Sequence, residues 1–155
     1  IRYKHQHRIT SIMNSDQTAM FLNDEKQPAD KWLQFHAIIV DRGSKYSVTA
    51  GHIENATELN QFLKKLKSDK KYRKATHNTY AARYIENGKI IDVKSDDGET
   101  GAGMIVLREL QRSNTANIIV VVTRWFGGVM LHGDRFKHVQ DATRKILGEL
   151  TFSKK

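Results

Sequence analysis

The stretch Ser95–Met104, SDDGETGAGM, sets Asp96, Asp97 and Glu99 around Gly98, followed by Gly101, Gly103 and an apolar run. Three chemistries could use it. A calcium loop needs oxygen ligands at alternate positions and a distal glutamate, but counting from Asp92 puts Lys94 third, and counting from Asp96 fails further on. A magnesium ion on Asp96, Asp97 or Glu99 needs one or two carboxylates plus a phosphate, and so implies a nucleotide partner. A phosphate could rest on the amides of Gly101 to Gly103 at a helix start. A fixed carboxylate ~4 Å from a phosphate charge opposes this by ~1 kcal/mol in water to ~4 at an effective dielectric of 20, against ~0.3–1 from the helix dipole. The local reading is therefore a helix start: Glu99 or Thr100 caps it, Gly98 makes the turn, and Gly101 and Gly103 let the helix approach a neighbour.

A second stretch, TRWFGGVMLHGDRFKH at Thr123–His138, follows an apolar run and contains Gly127-Gly128 beside Trp125 and Phe126. This suits a ligand loop or a tight turn, and the residue chemistry alone favours the turn. Arg124 could clamp a carboxylate or phosphate, but pairing inside the molecule with Asp96 or Asp97 is preferred. Asp134 suits the N-cap or first turn of the last helix, with Arg135 and His138 facing outward. His77 and His132 have no second histidine at short metal spacing, and His5 and His7 lie in a polar segment.

The run KKLKSDKKYRK carries Lys64, Lys65, Lys67, Lys70, Lys71, Arg73 and Lys74 with Tyr72 among them. It could follow a phosphate backbone with one stacking ring, and a solvated helix end explains it equally well. No GxSxG elbow, Walker lysine loop or HExxH helix occurs, so the usual hydrolase mechanisms lack their motifs. With no cysteine, disulfides, thiolate zinc sites and cysteine nucleophiles are excluded, and a reducing compartment is expected. No metal and no cofactor is expected.

These residues need a scaffold. A chain of 155 residues, 39% hydrophobic and 28% charged, suits one domain with a real core, and no apolar stretch nears the ~20 residues of a bilayer helix. The formal charge of +9 favours acidic partners. Residues 1–30 read as a polar extension or linker with a short helix around Gln17–Leu22. A start at Ile1 without a signal pattern suggests a missing upstream domain, leaving the folded domain at 31–152.

LQFHAIIV and KYSVTAGHI flank Asp41-Arg42-Gly43-Ser44 as a hairpin, and THNTYAARYI and KIIDV flank Glu86-Asn87-Gly88 as another. Asn55 caps a helix carrying Ala56, Leu59, Phe62, Leu63 and Leu66 at helical spacing. The β-branched run from Ile118 to Val122 predicts a central strand buried on both faces. A last helix from near Gly133 places Phe136, Val139, Ala142, Ile146, Leu147 and Leu150 on one stripe. Together these predict an α+β fold, a two-layer sandwich of a mixed sheet with helices, without internal repeats.

HNTYA at His77–Ala81, DDGET at Asp96–Thr100, and VVVTRWFGG with GDRFKH across Val120–His138 together resemble the IMPACT family, in its eukaryotic form. Where that family usually has glycine and proline after the leucine, this chain has His132 and Gly133, which implies a small-ligand pocket weakened at that point. The resemblance implies a domain similar to the second domain of a small-subunit ribosomal protein, following an RWD domain. It further implies a non-catalytic role in translational control, in the cytoplasm and also the nucleus, away from membranes. The partners implied are the ribosome-associated activator of the starvation-activated initiation-factor kinase, for which the whole protein competes, and monomeric actin. On this reading Asp96, Asp97, Glu99, Arg124, Trp125, Asp134, Arg135 and His138 form one binding surface. Two alternatives stay open. One is a nucleic-acid or ribosome contact module using the basic run with Tyr72 or Trp125. The other is a vestigial hydrolase with Asp97 or Glu99 as general base and Arg124 stabilising an anionic transition state.

Overall fold

The structure is a computed structural model and describes residues 7–11 and 25–154; the helix expected at Gln17–Leu22 lies outside the described residues. Among the described residues of 1–30, two segments are strands: β1, His7–Ser11, and β2, Lys26–Pro28.

Two hairpins form where turn chemistry predicts them. β3, Leu33–Asp41, turns into β4, Ser44–His52, and β5, His77–Glu86, turns into β6, Lys89–Ser95. Both central residues of each turn have positive φ, Arg42 (46°) with Gly43 (84°) and Asn87 (51°) with Gly88 (73°). This is the primed geometry whose twist matches that of the strands. β7, Ile118–Trp125, completes a six-stranded sheet in the order β1-β6-β5-β7-β4-β3. In place of the mixed sheet expected, neighbours in this sheet run antiparallel throughout. A parallel contact among the described residues, the isolated bridge between Lys26 and Thr115, lies outside it. β8, Phe152–Lys154, pairs with β2 in a separate ribbon.

The α+β class holds, but the sandwich has three layers rather than two. Along β7, Ile118, Val120 and Val122 enter one core, while Ile119 and Val121 enter another on the opposite face. A strand of that composition needs cover on both sides, since each buried Val or Ile contributes ~1.5–3 kcal/mol only when kept from water. One cover is α1, Ala56–Ser68, with the single turn α2, Lys70–Arg73, which contribute Leu59, Phe62, Leu63, Leu66 and Tyr72. Asn55 caps α1 by accepting from the Glu58 amide at 2.8 Å. The other cover is α3, Ala102–Arg112, with α4, Asp134–Glu149, which contribute Val106, Leu107, Leu110, Val139, Ala142 and Ile146. Of the α4 stripe expected, Phe136 and Leu147 are only partly buried, and Thr143 is fully buried instead, its hydroxyl bonded to the Val139 carbonyl at 2.8 Å.

Candidate functional site

The two stretches singled out above meet at one end of the sheet. Register places Arg124 of β7 opposite His77 of β5 on one side and Tyr46 of β4 on the other. The acidic turn leaves β6 beside them, with Asp97 at φ 46° and Gly98 at φ 88°.

Each carboxylate of that turn has a different task. Asp96 satisfies the amides at the start of α3, whose N-cap position is Gly101: Oδ1 accepts from the Gly103 amide at 2.8 Å and Oδ2 from the Gly101 amide at 3.0 Å. This corrects the expectation that Glu99 or Thr100 caps the helix. Gly103 is needed there, because a Cβ would lie 2.8 Å from Asp96 Oδ1 and 3.2 Å from the Ser95 carbonyl carbon. Asp97 is buried and accepts from the Asn78 amide at 2.8 Å, fixing the start of β5, while its own carbonyl accepts from His77 Nδ1 at 2.9 Å.

Glu99 is 2% exposed and receives Arg124 Nη1 on both oxygens, at 3.1 and 3.0 Å. Arg124 thus pairs internally, as preferred, but with Glu99 rather than Asp96 or Asp97, since both aspartates are turned onto backbone amides. Its Nη2 also donates to Ser44 Oγ at 3.3 Å, and Ser44 Oγ accepts from the Gly127 amide at 3.1 Å. Around Glu99, Arg135 Nε stands 3.7 Å from Oε1 and His77 Nε2 3.7 Å from Oε2. Arg135 and His138 were expected to face outward from the last helix. The pitch of α4 instead turns Arg135 toward Glu99 and His138 toward Asp41, whose Oδ2 lies 2.7 Å from His138 Nε2.

Asp134 is the first residue of α4 and makes no capping bond; its Oδ2 accepts from Arg42 Nη2 at 2.6 Å. Arg42 also grips Asp41, with Nε 3.0 Å from Oδ1. His138, Asp41, Arg42 and Asp134 therefore form one chain tying the β3–β4 turn to α4. The hydrogen bonds from Arg42 and then His138 lower the Asp41 pKa to about 2. Sequence reasoning missed Asp41, Arg42, Ser44 and Tyr46, which are remote in sequence and reach the site through the β4–β7 register. Tyr46 is wholly buried between Arg124, 5.5 Å from its ring, and His138, 5.2 Å from its ring. Burial pushes its phenol up to about 12.

The Gly-Gly pair forms a loop that packs on the β3–β4 turn: a Cβ on Gly127 would come within 2.0 Å of the Gly43 carbonyl carbon. Beyond it Phe126, Val129 and Met130 stand 46%, 46% and 59% exposed. Trp125 does not join the Arg124 cluster. As the next residue on β7 it points to the opposite face, packing edge-on to Tyr72 at 5.1 Å and donating Nε1 to the Lys71 carbonyl at 3.1 Å. Tyr72 is buried, its hydroxyl 2.8 Å from His36 Nδ1, so the stacking ring proposed within the basic run is not accessible. The seven cations from Lys64 to Lys74 are exposed along the end of α1, α2 and the residue after it.

Among the described residues, no group of three or more His, Asp or Glu is arranged to hold a metal ion. No described helix is long and apolar enough to cross a membrane.

A family model described as the Impact N-terminal domain matches residues 42–147. Protein IMPACT-B of Xenopus tropicalis is 41% identical over 111 residues, covering 70% of this chain and 35% of its own length. The chain spans about a third to a half of the length of the curated relatives it matches. A crystal structure described only as a hypothetical protein shares the fold, with a TM-score of 0.69 at 23% identity over 84% of this chain and 63% of that one. A two-domain translational regulator, Yih1, aligns at 35% identity over 79% of this chain and 48% of its own, with a TM-score of 0.49. A match over residues 42–147 that takes in the acidic turn, the Arg124 strand and the start of the last helix places this chain in the IMPACT family.

Proposed function

We propose that this chain is a non-catalytic binding domain of a translational regulator. In the whole protein it helps restrain the starvation-activated initiation-factor kinase by competing for that kinase's ribosome-associated activator, and it also binds monomeric actin. The partners follow from the family resemblance. The observation that carries the non-catalytic part is the engagement of the acidic turn: Asp96 on two amides, Asp97 on the Asn78 amide, Glu99 on Arg124. A general base needs a carboxylate within reach of a substrate proton, and these three are already committed to the fold. The exposed cations from Lys64 to Lys74 supply long-range attraction to an acidic partner.

The test is capture of purified actin and of the activator by this chain, with Arg135→Glu and a Lys70→Glu/Lys74→Glu double variant beside it, each checked for folding. Both partners should be captured, and the charge reversals should weaken capture. Failure of the unaltered chain to hold either partner would defeat the reading.

A ribosome or RNA contact is the second reading, favoured by the exposed basic run. It predicts a salt dependence of slope ~0.7 per neutralised phosphate on single strands. With Tyr72 buried, it has lost one of its two stacking rings.

A further inference from the structure

Beside the Arg124–Glu99 pair is a cavity of about 120 Å³, lined by His77, Glu99, Arg124, Arg135 and His132 and by the apolar Phe126, Met130 and Leu131. Three features set its chemistry. Arg124 is 5% exposed, and neither its Nε nor the buried Tyr46 hydroxyl makes a hydrogen bond to any described residue; Arg135 Nε, on a side chain 32% exposed, also makes none and stands 3.7 Å from Glu99 Oε1. Buried donors of this kind are rare and favour an acceptor. The fixed charges are Arg124 and Arg135 against Glu99 alone, an excess of one positive charge before either histidine is counted. Asp96 and Asp97, which argued against an anion from the sequence, are held on backbone amides. Asp134 is occupied by Arg42.

Size decides what kind of anion. Pockets for whole small ligands run ~300–1,000 Å³, so this one admits the tip of a side chain rather than a metabolite. A single positive excess matches a carboxylate better than a doubly charged phosphate, because unmatched charge in a desolvated site is costly. In its lining, the exposed Phe126 and Met130 offer apolar surface to whatever flanks the anion.

The geometry points to a docking site for an acidic peptide of a partner protein: one glutamate or aspartate enters beside Arg124 and Arg135, and an adjacent apolar residue lies on Phe126 and Met130. It deepens the reading of this chain as a partner-binding domain and rests on it.

The probes are two blocked tripeptides, acetyl-Leu-Glu-Phe-amide and acetyl-Leu-Gln-Phe-amide. Each is titrated at constant ionic strength into the isotopically labelled chain while the arginine Nε–Hε resonances are followed. The glutamate peptide should shift Arg124 and Arg135 and bind roughly tenfold or more tightly than the glutamine peptide, the range of a hydrogen bond to a charged group. Arg135→Gln should remove that preference. Met130→Ser should weaken both peptides alike and keep it, which separates the two halves of the site. Equal binding of the two peptides would overturn the proposal, as would shifts confined to Lys64–Lys74. Displacement of the glutamate peptide by inorganic phosphate at lower concentration than by acetate would overturn the carboxylate assignment. Because neither actin nor activator is present, failure of partner capture leaves this result untouched, and failure here leaves capture to be judged by itself.

Discussion

Arg124 Nη1 lies 3.1 and 3.0 Å from the two carboxylate oxygens of Glu99, and the two side chains are 7% and 3% exposed. The pair joins β7 to the turn before α3 where little water reaches it. Removing one partner strands a charge, so Glu99→Ala should cost about 3–5 kcal/mol in urea unfolding. Replacing both, as Glu99→Leu with Arg124→Met, should recover much of that loss, because attraction within a buried pair is largely offset by desolvation. A double variant as unstable as the single one would show that Arg124 is needed for its bond to Ser44 as well.

The His138–Asp41–Arg42–Asp134 chain makes a pH-dependent prediction. The hydrogen bonds from Arg42 and then His138 hold the Asp41 carboxyl at about 2 in the fold, below its ordinary value of 3.8. A depressed carboxylate contributes stability that is complete above the unfolded value and lost as pH falls through the folded one. The loss should therefore run from about pH 4 down to about pH 2. Asp41→Asn should flatten that part of the curve, seen in thermal unfolding at stepped pH. An identical acid limb in the variant would place the titrating group elsewhere.

How much of this was legible in the sequence depended on the range of the interaction. Both hairpins, the Asn55 cap and the central strand were readable because turn residues, a capping side chain and a β-branched run act within a few positions. The expected two layers become three because the doubly buried Ile118–Val122 run requires cover on both faces. At the site, the engagement of Arg124 by a nearby acid was foreseeable from charge and burial, but its choice of Glu99 was not. That choice depends on Asp97 and Gly98 taking positive φ, which turns Asp96 back onto the Gly101 and Gly103 amides. Asp41 and Tyr46 carry no local signal; the strand pairing that brings them to Arg124 is non-local.

Gly127 packs so closely on Gly43 that it has no room for a side chain, while a Cβ on Gly43 would stand 3.0 Å from the Gly127 carbonyl oxygen. A Cβ on Gly127 would meet Gly43 C at 2.0 Å and Ser44 N at 2.3 Å, all backbone that cannot swing aside. Gly127→Ala should therefore destabilise by about 1–3 kcal/mol or more, as overpacking does. Gly128 has open space around it but sits at φ 90°, so Gly128→Ala should cost about 1–2 kcal/mol through backbone strain alone. The two differ in reach: only Gly127→Ala should also disturb the Ser44–Arg124 contact, visible in the arginine side-chain resonances. Unchanged resonances in Gly127→Ala would mean that the loop moves without taking Ser44 with it.

The cations on α1 and α2 should act on encounter rather than on folding. Lys64, Lys70 and Lys74 are exposed, and charge changes at such positions alter stability by about 0.5 kcal/mol or less. Lys65 differs, its ammonium lying 4.4 Å from the Trp32 ring centroid, and Arg73 donates to the Lys67 carbonyl at 3.1 Å, so both also hold local structure. Reversing Lys64, Lys70 and Lys74 to Glu should leave the melting temperature nearly unchanged. The same change should lower the association rate with an acidic partner by about tenfold or more at low salt. The difference should shrink as ionic strength passes about 0.15 M, where screening acts over ~8 Å. A change confined to the dissociation rate, insensitive to salt, would mean that these lysines touch the partner directly instead of steering it.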